Sequence, residues 1–281
     1  MKFKTLLLAG ALLTAASGMA QTPAKAVAAP QEPFNYSLKR ARVPVWLDVA
    51  AGLDVADCYD VGTVPFRYSG FGAATDMGVT IEWGRCHIRP GYRMFNTTFT
   101  QPAGTALTYD FSTEFLYRFS DVANNRLHFW VGGTLGGMID VKSIPSLQNA
   151  SACLSLFGNM AATCMMQYDF AYSKSKDHNW LSTYLKVNLP LYGGAVRPGY
   201  SYIGNPTVNQ DVVSALIGSK ESFGKFFPGV NTDLGLYLNL LNGNRIGLTY
   251  RWDYVSTGKK GTYRYDNALH SVNVSFMFRL N

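Results

Sequence analysis

The sequence predicts an all-β chain that folds as a transmembrane, antiparallel up-and-down barrel. It should have about ten strands, short turns at one end and long loops at the other. Three observations predict this. The chain from Asn231 to Asn281 reads as three amphipathic strands in succession. A leader opens the chain. After it there is no apolar run of ~18 residues that could cross a membrane as a helix, so a membrane form must be a closed barrel that satisfies every backbone group within its own wall.

In the last stretch, Leu234, Leu236 and Leu238 alternate with Asp233, Gly235 and Tyr237. Ile246, Leu248, Tyr250, Trp252 and Tyr254 alternate with Arg245, Thr249, Arg251 and Asp253. Val272, Val274, Phe276, Phe278 and Leu280 alternate with Asn273, Ser275, Met277 and Arg279. A strand repeats every two residues, so each segment has one apolar and one polar face. Asn242-Gly243-Asn244 is a hairpin signal. A soluble sheet would also alternate. Here the apolar faces carry aromatics near their ends, as membrane girdles do, and the polar faces carry both charge signs, as a wet lumen does.

Residues 1–20 form a signal peptide: Lys2 and Lys4, an apolar core from Leu6 to Ala16, then Gly18-Met19-Ala20 at the cleavage offsets. Residues 21–42, rich in Ala and Pro, read as a disordered periplasmic lead-in. Residues 43–281 form one barrel domain. Losing Lys2 and Lys4 lowers the formal net charge from +7 to +5. In an exported chain this does not indicate nucleic-acid binding; it suits basic loops over anionic lipid or a mildly anion-preferring lumen.

The remaining strands are expected at Pro44–Val55, Ala73–Trp83, Cys86–Asn96, Leu107–Phe119, Arg126–Asp140, Cys164–Ser173 and Leu181–Tyr192. Short links at 84–85, 121–125, 174–179 and 242–244 alternate with long ones at 56–72, 97–106, 141–163, 193–230 and 256–267, an asymmetry outer-membrane barrels share. The alternative count of twelve splits 180–203 at Gly193-Gly194.

On YLKVNLPLYGG (184–194), TDLGLYLNLLNGNRIGLTYRWDY (232–254) and HSVNVSFMFRL (270–280), the chain resembles the small, porin-like outer-membrane β-barrel proteins of Gram-negative bacteria. The resemblance implies an outer-membrane location, contact with outer-membrane lipids and lipopolysaccharide, and insertion by the barrel-assembly machinery. Many members have no assigned activity. The chain departs from the pattern at its end, closing on Asn281 where many such barrels close on an aromatic; Phe278 is the nearest.

Enzyme chemistry finds no support. His270 and Ser271 are adjacent, so on a strand they face opposite ways and cannot form a hydrolytic dyad. Asp54, Asp57 and Asp60 lie near one end and Asp177-His178 at the other, so no acid–His couple assembles at one rim. The reading is a non-enzymatic barrel with no cofactor and no metal. Its largely filled lumen should hold a charge network of Asp110, Glu114, Arg118, Lys186, Asp233, Arg251, Asp253 and Arg279. A small-solute or ion porin is the first alternative, and a barrel enzyme on lipid or peptide the second. Arg197, Tyr200, Tyr202 and Lys225 in the long loop are candidates for ligand binding. The four Cys allow three pairings, with Cys153–Cys164 expected to bracket one outer loop as a disulfide.

Overall fold

The computed structural model describes residues 43–61, 64–122, 126–146, 152–171, 179–196, 220–223, 229–256 and 264–280. The leader, the lead-in and the four loop candidates fall outside them. The strands are β1 (Val45–Asp60), β2 (Val64–Trp83), β3 (Cys86–Gln101), β4 (Ala103–Val122), β5 (Leu127–Ser143), β6 (Ala152–Ala171), β7 (Asn179–Val196), β8 (Lys220–Phe223), β9 (Gly229–Asn239), β10 (Arg245–Ser256) and β11 (Tyr265–Arg279). Each pairs antiparallel with its neighbours, and β1 pairs with both β2 and β11. The wall is therefore a closed ring of ten strands, β1 to β7 and then β9 to β11, with the four-residue β8 added beside the far end of β7. Closure removes the unpaired edges that a lipid environment would not tolerate. The twelve-strand alternative fails because β7 runs through Gly193-Gly194 without a break.

The short turns at 84–85 and 242–244 sit where the sequence puts them, and those expected at 121–125 and 174–179 lie largely outside the described residues. Gly84 and Gly243 adopt φ +62° and +84°, the left-handed values tight hairpins require. The second turn closes with Gly243 N–H donating to the Leu240 carbonyl at 2.9 Å.

The opposite end differs from expectation. Segments 56–72, 97–106 and 141–163 belong largely to strands of 16–20 residues. A tilted strand needs only about 9–11 residues to cross a bilayer, so these strands project well past the apolar belt.

The belt is made of outward side chains such as Met77, Phe115, Leu135, Leu185, Leu236, Leu248 and Val274, all exposed. Inward positions at that height are polar and buried, among them Thr80, Arg93, Thr134, Lys186 and Asn273. Above the belt the pattern inverts. The outer wall carries Asp57 and Arg67, paired at 3.8 Å with side chains 44% and 77% exposed. The inner wall there carries Cys58, Tyr68, Phe99, Ile144, Phe157, Tyr265 and Leu269, which pack into one apolar cluster. A charged outer wall needs water around it, and apolar groups then gain by turning inward.

Candidate functional site

The candidate site is the lumen, built level by level by inward residues of successive strands. At the short-turn end, Arg245 lies over the Trp46 ring at 4.4 Å and 3.7 Å from Glu82. Trp46 Nε1 donates to the Gly243 carbonyl at 3.0 Å. On the far side of this mouth, His128 sits between Asp121 (2.6 Å) and Asp169 (3.3 Å), and Arg118 reaches Asp121 at 3.5 Å.

At mid-height seven charges join in one chain. Arg89 bonds Asp48 at 3.0 Å and Asp76 at 2.8 Å. Arg251 reaches Asp76 at 3.5 Å and grips Asp233, with Nη2 to Oδ2 at 2.6 Å and Nε on the other oxygen. Lys186 bonds Asp233 at 2.8 Å and also Glu114. The Asp233–Arg251 pair is directly cross-strand, in register between β9 and β10. Other links cross the lumen. Lys186 on β7 and Glu114 on β4 stand three strands apart in the ring, as do Arg251 on β10 and Asp76 on β2. Beside them Tyr184 and Tyr237 stack at 5.5 Å and 12°. A side chain at Gly235 or Gly247 would collide with these rings, so the glycines make their space.

Higher up, Arg93 bonds Asp110 at 2.6 Å and reaches Asp253, four strands round the ring, at 3.5 Å. Thr97 donates to Asp54. At the top Lys142 joins Asp140 (2.6 Å) to Asp60 (3.3 Å). Tyr265 on β11 donates to Asp140 on the diametrically opposite β5 at 2.9 Å. The Phe157 and Tyr265 rings meet at 4.9 Å and the Tyr68 and Phe99 rings at 5.7 Å, which seals this end. At this level, above the belt, burial pushes the Cys58 thiol up to about 12, leaving it protonated and unreactive. Below the seal lie a lower cavity of about 90 Å³ and an upper one of about 50 Å³, and a wider recess of about 310 Å³ at the short-turn mouth shares Ser182, Asn239 and Arg245 with the lower one. Glu114 lines both the lower and the upper cavity.

Of the residues expected in a charge network, Glu114, Lys186, Asp233 and Arg251 meet directly, and Asp110 and Asp253 share Arg93. Arg118 stays with Asp121 at the mouth. Arg279 stands exposed at the short-turn end, its backbone N–H bonded to Asn244 Oδ1 at 2.9 Å. Asp48, Asp76, Arg89 and Arg93 complete the network; their inward parity along β1 to β3 marked them. The upper group was missed because Asp60, Lys142 and Tyr265 lie in segments expected to be loops, and Asp140 stands at the last position of its expected strand.

The expected Cys153–Cys164 disulfide is corrected. Both residues lie on the single strand β6, with Cys153 facing Lys142 and Cys164 facing Val131 on β5. Eleven residues of extended strand separate them by ~36 Å, far beyond the reach of an S–S bond. His270 and Ser271 face opposite ways, as expected: His270 lies against Tyr250 and Trp252 on the outer wall, and Ser271 is buried inside. Among the described residues no group of three or more His, Cys, Asp or Glu could hold a metal ion.

No known family profile matches the chain, and no curated protein sequence does. Among solved structures it is similar to the translocator domain of autotransporter NalP from Neisseria meningitidis, at 11% identity over 85% of this chain and 90% of that one (TM-score 0.41). It is also similar to Neisserial surface protein A, at 10% identity over 82% and 95% (TM-score 0.35). A third is the toluene transporter TodX of Pseudomonas putida, at 9% identity over 83% and 89% (TM-score 0.27). These likenesses concern barrel architecture alone.

Proposed function

We propose that this chain is an exported outer-membrane protein of a Gram-negative bacterium, held in the membrane by its apolar belt against outer-membrane lipid and lipopolysaccharide. Its barrel is a closed structural element, neither a pore nor an enzyme. The observation that carries this reading is the bridging of the lumen at successive heights by Lys186–Glu114, Arg251–Asp76, Arg93–Asp253 and Tyr265–Asp140. A ten-strand barrel is narrow enough for side chains to fill, and at mid-height the described side chains leave cavities of only about 90 and 50 Å³. The acid–His couple the structure holds, His128 between Asp121 and Asp169, lies at the short-turn mouth with both ring nitrogens taken by carboxylates, and the outer-wall His270 bonds Tyr250 Oη at 2.8 Å rather than a serine.

Planar-bilayer recording of the purified, folded protein tests the proposal. The expected result is no stable unitary step. Large, reproducible unitary currents from the wild type overturn the closed-barrel reading and restore the porin.

A further inference from the structure

The outer wall carries few charges, and they gather in one place. Along the outward positions of the ring strands, the described Lys, Arg, Asp and Glu residues are Asp57 on β1, Arg67 on β2 and Asp266 on β11, with Arg264 just ahead of β11. Among the described residues, β3 to β6 present none along their whole outward length. Strand pairing sets the charged residues in neighbouring rows. Arg67, Tyr59, Asp266 and Ser256 stand side by side across β2, β1, β11 and β10. Ser69, Asp57, Ala268 and Tyr254 form the row beneath. Below that come Phe71, Val55, His270 and Trp252, the aromatic upper edge of the apolar belt.

The small side chain of Ala268, between Asp57 and Tyr254, leaves the floor of a recess on the outer wall. Its volume is about 390 Å³, within the range of roughly 300–1,000 Å³ usual for small-molecule sites. One side of its rim is fixed. Arg264 lies over the Tyr59 ring at 5.2 Å, and its backbone carbonyl accepts from the Val61 N–H at 3.0 Å. Its Nε and Nη2 both donate to Asp266 Oδ2 at 2.6 Å, and Asp266 Oδ1 accepts from Ser256 at 2.5 Å. Asp266 is thereby committed to holding Arg264, while a guanidinium has further N–H donors to offer. On the other side Arg67 is loosely held, 3.8 Å from Asp57 with its side chain 77% exposed. A surface pair of that kind adds little to stability.

Two guanidiniums, two tyrosine rings and a carboxylate around one recess suit a sugar phosphate. Guanidiniums grip phosphate oxygens, ring faces take the sugar, and a carboxylate accepts from its hydroxyls. The layer just above an apolar belt is the headgroup layer of the membrane. We infer that this recess seats the phosphorylated sugar headgroup of lipopolysaccharide, with the phosphate at Arg67 and Arg264, the sugar against Tyr59 and Tyr254, and Asp57 accepting from a sugar hydroxyl. The acyl chains then run down over Phe71, Val55 and Trp252, continuous with the belt. The inference rests on the outer-membrane reading, with the long-loop end outward. A glycerophospholipid with a linear headgroup would meet the arginines and leave the tyrosines without a ring.

Native mass spectrometry of the folded protein in non-ionic detergent, titrated with lipid A, tests this. The expected result is saturable binding of one lipid A per chain. Arg67→Gln combined with Arg264→Gln should raise the dissociation constant at least about tenfold, the loss of one charge-assisted contact. Removing the phosphates from lipid A should do the same to the wild type. Ala268→Phe fills the floor and keeps all four charges; it should weaken binding by a similar factor, and it serves if the arginine variant does not fold. Equal affinities in the wild type and the variants overturn the inference. Displacement of lipid A by an equal concentration of phosphatidylglycerol means that any anionic lipid is accepted, and refutes the glycolipid. Cell fractionation separates the two readings. A chain recovered in the soluble periplasm sinks the outer-membrane reading itself, whereas variants of wild-type affinity on a chain recovered in the outer membrane sink the site alone.

Discussion

Lys186→Met is the most direct probe of the mid-height network. Lys186 and Glu114 have side chains only 6% and 5% exposed, and among the described residues Lys186 is the base within ion-pair distance of Glu114. The methionine keeps the length and packing of the lysine stem and deletes its charge. Two ion pairs disappear, but their losses are unequal. Asp233 keeps the two-pronged grip of Arg251, so little of the cost arises there. Glu114 is left buried with only Arg89, its cross-strand neighbour on β3, to offset it, and removing one partner of a buried pair costs about 3–5 kcal/mol. Water in the adjoining cavities moves the expected cost to the lower part of that range. Adding Glu114→Gln removes the stranded charge, so the double variant should be more stable than Lys186→Met alone, with a coupling energy of about 2 kcal/mol. Reversible urea unfolding in lipid vesicles, followed by tryptophan fluorescence, measures all four corners of the cycle. If Lys186→Met changes stability by less than ~0.5 kcal/mol, or the two changes simply add, the bridge does not brace the barrel and the reasoning fails.

Two other predictions test the wall and the cysteines. Leu236→Arg, on the outward face of β9 in the apolar belt, should cost about 2–4 kcal/mol if it lies near the bilayer midplane; a harmless substitution in the same unfolding assay would mean the faces are reversed. Non-reducing peptide mapping should find no Cys153–Cys164 crosslink, and maleimide at neutral pH should label Cys58 only after unfolding, because burial holds its thiol up to about 12; rapid labelling of Cys58 in the folded barrel would mean the upper end is open.

The part of the fold that lies within the belt was legible because lipid enforces one rule on every strand. Outward residues must be apolar there, so Leu234, Leu236 and Leu238 identify a face without any tertiary information. Parity then assigned Asp233, Arg251, Lys186 and Glu114 to the interior, and cross-strand register made the Asp233–Arg251 pair readable. Parity says nothing of partners across the ring, which depend on strand number and stagger. That is why Lys186–Glu114 and Arg93–Asp253 emerged only in three dimensions. The rule also stops where the lipid stops. Beyond Val55 the outward residues are Asp57 and Tyr59 and the inward ones Ala56 and Cys58, so apolar and polar exchange faces within one strand. A search for apolar-outward alternation ends each strand at that point and labels the rest as loop. The Cys153–Cys164 error has the same source, since the segment taken as their bracketed loop is the upper half of β6 and its turn.

The exchange of faces explains why the barrel is closed twice by different forces. Inside the belt the outer wall takes the apolar residues, so the interior is left with polar ones, and a narrow ring brings their charges within bonding distance across the lumen. Above the belt water bathes the outside, and the interior gains an apolar cluster, with the Phe157 and Tyr265 rings and the Tyr68 and Phe99 rings in contact, around the buried Lys142–Asp140–Asp60 group. The lower seal depends on charge pairing, and the upper one adds the exclusion of water from apolar surface. A substitution that breaks one leaves the other standing. Glu114 forms part of the lining of both lumen cavities, so loosening its bridge to Lys186 joins those spaces to each other but not to the long-loop end. Stability and permeability are therefore separable: Lys186→Met should weaken the barrel and still pass no current. Current would require the aromatic cluster above it to be removed as well.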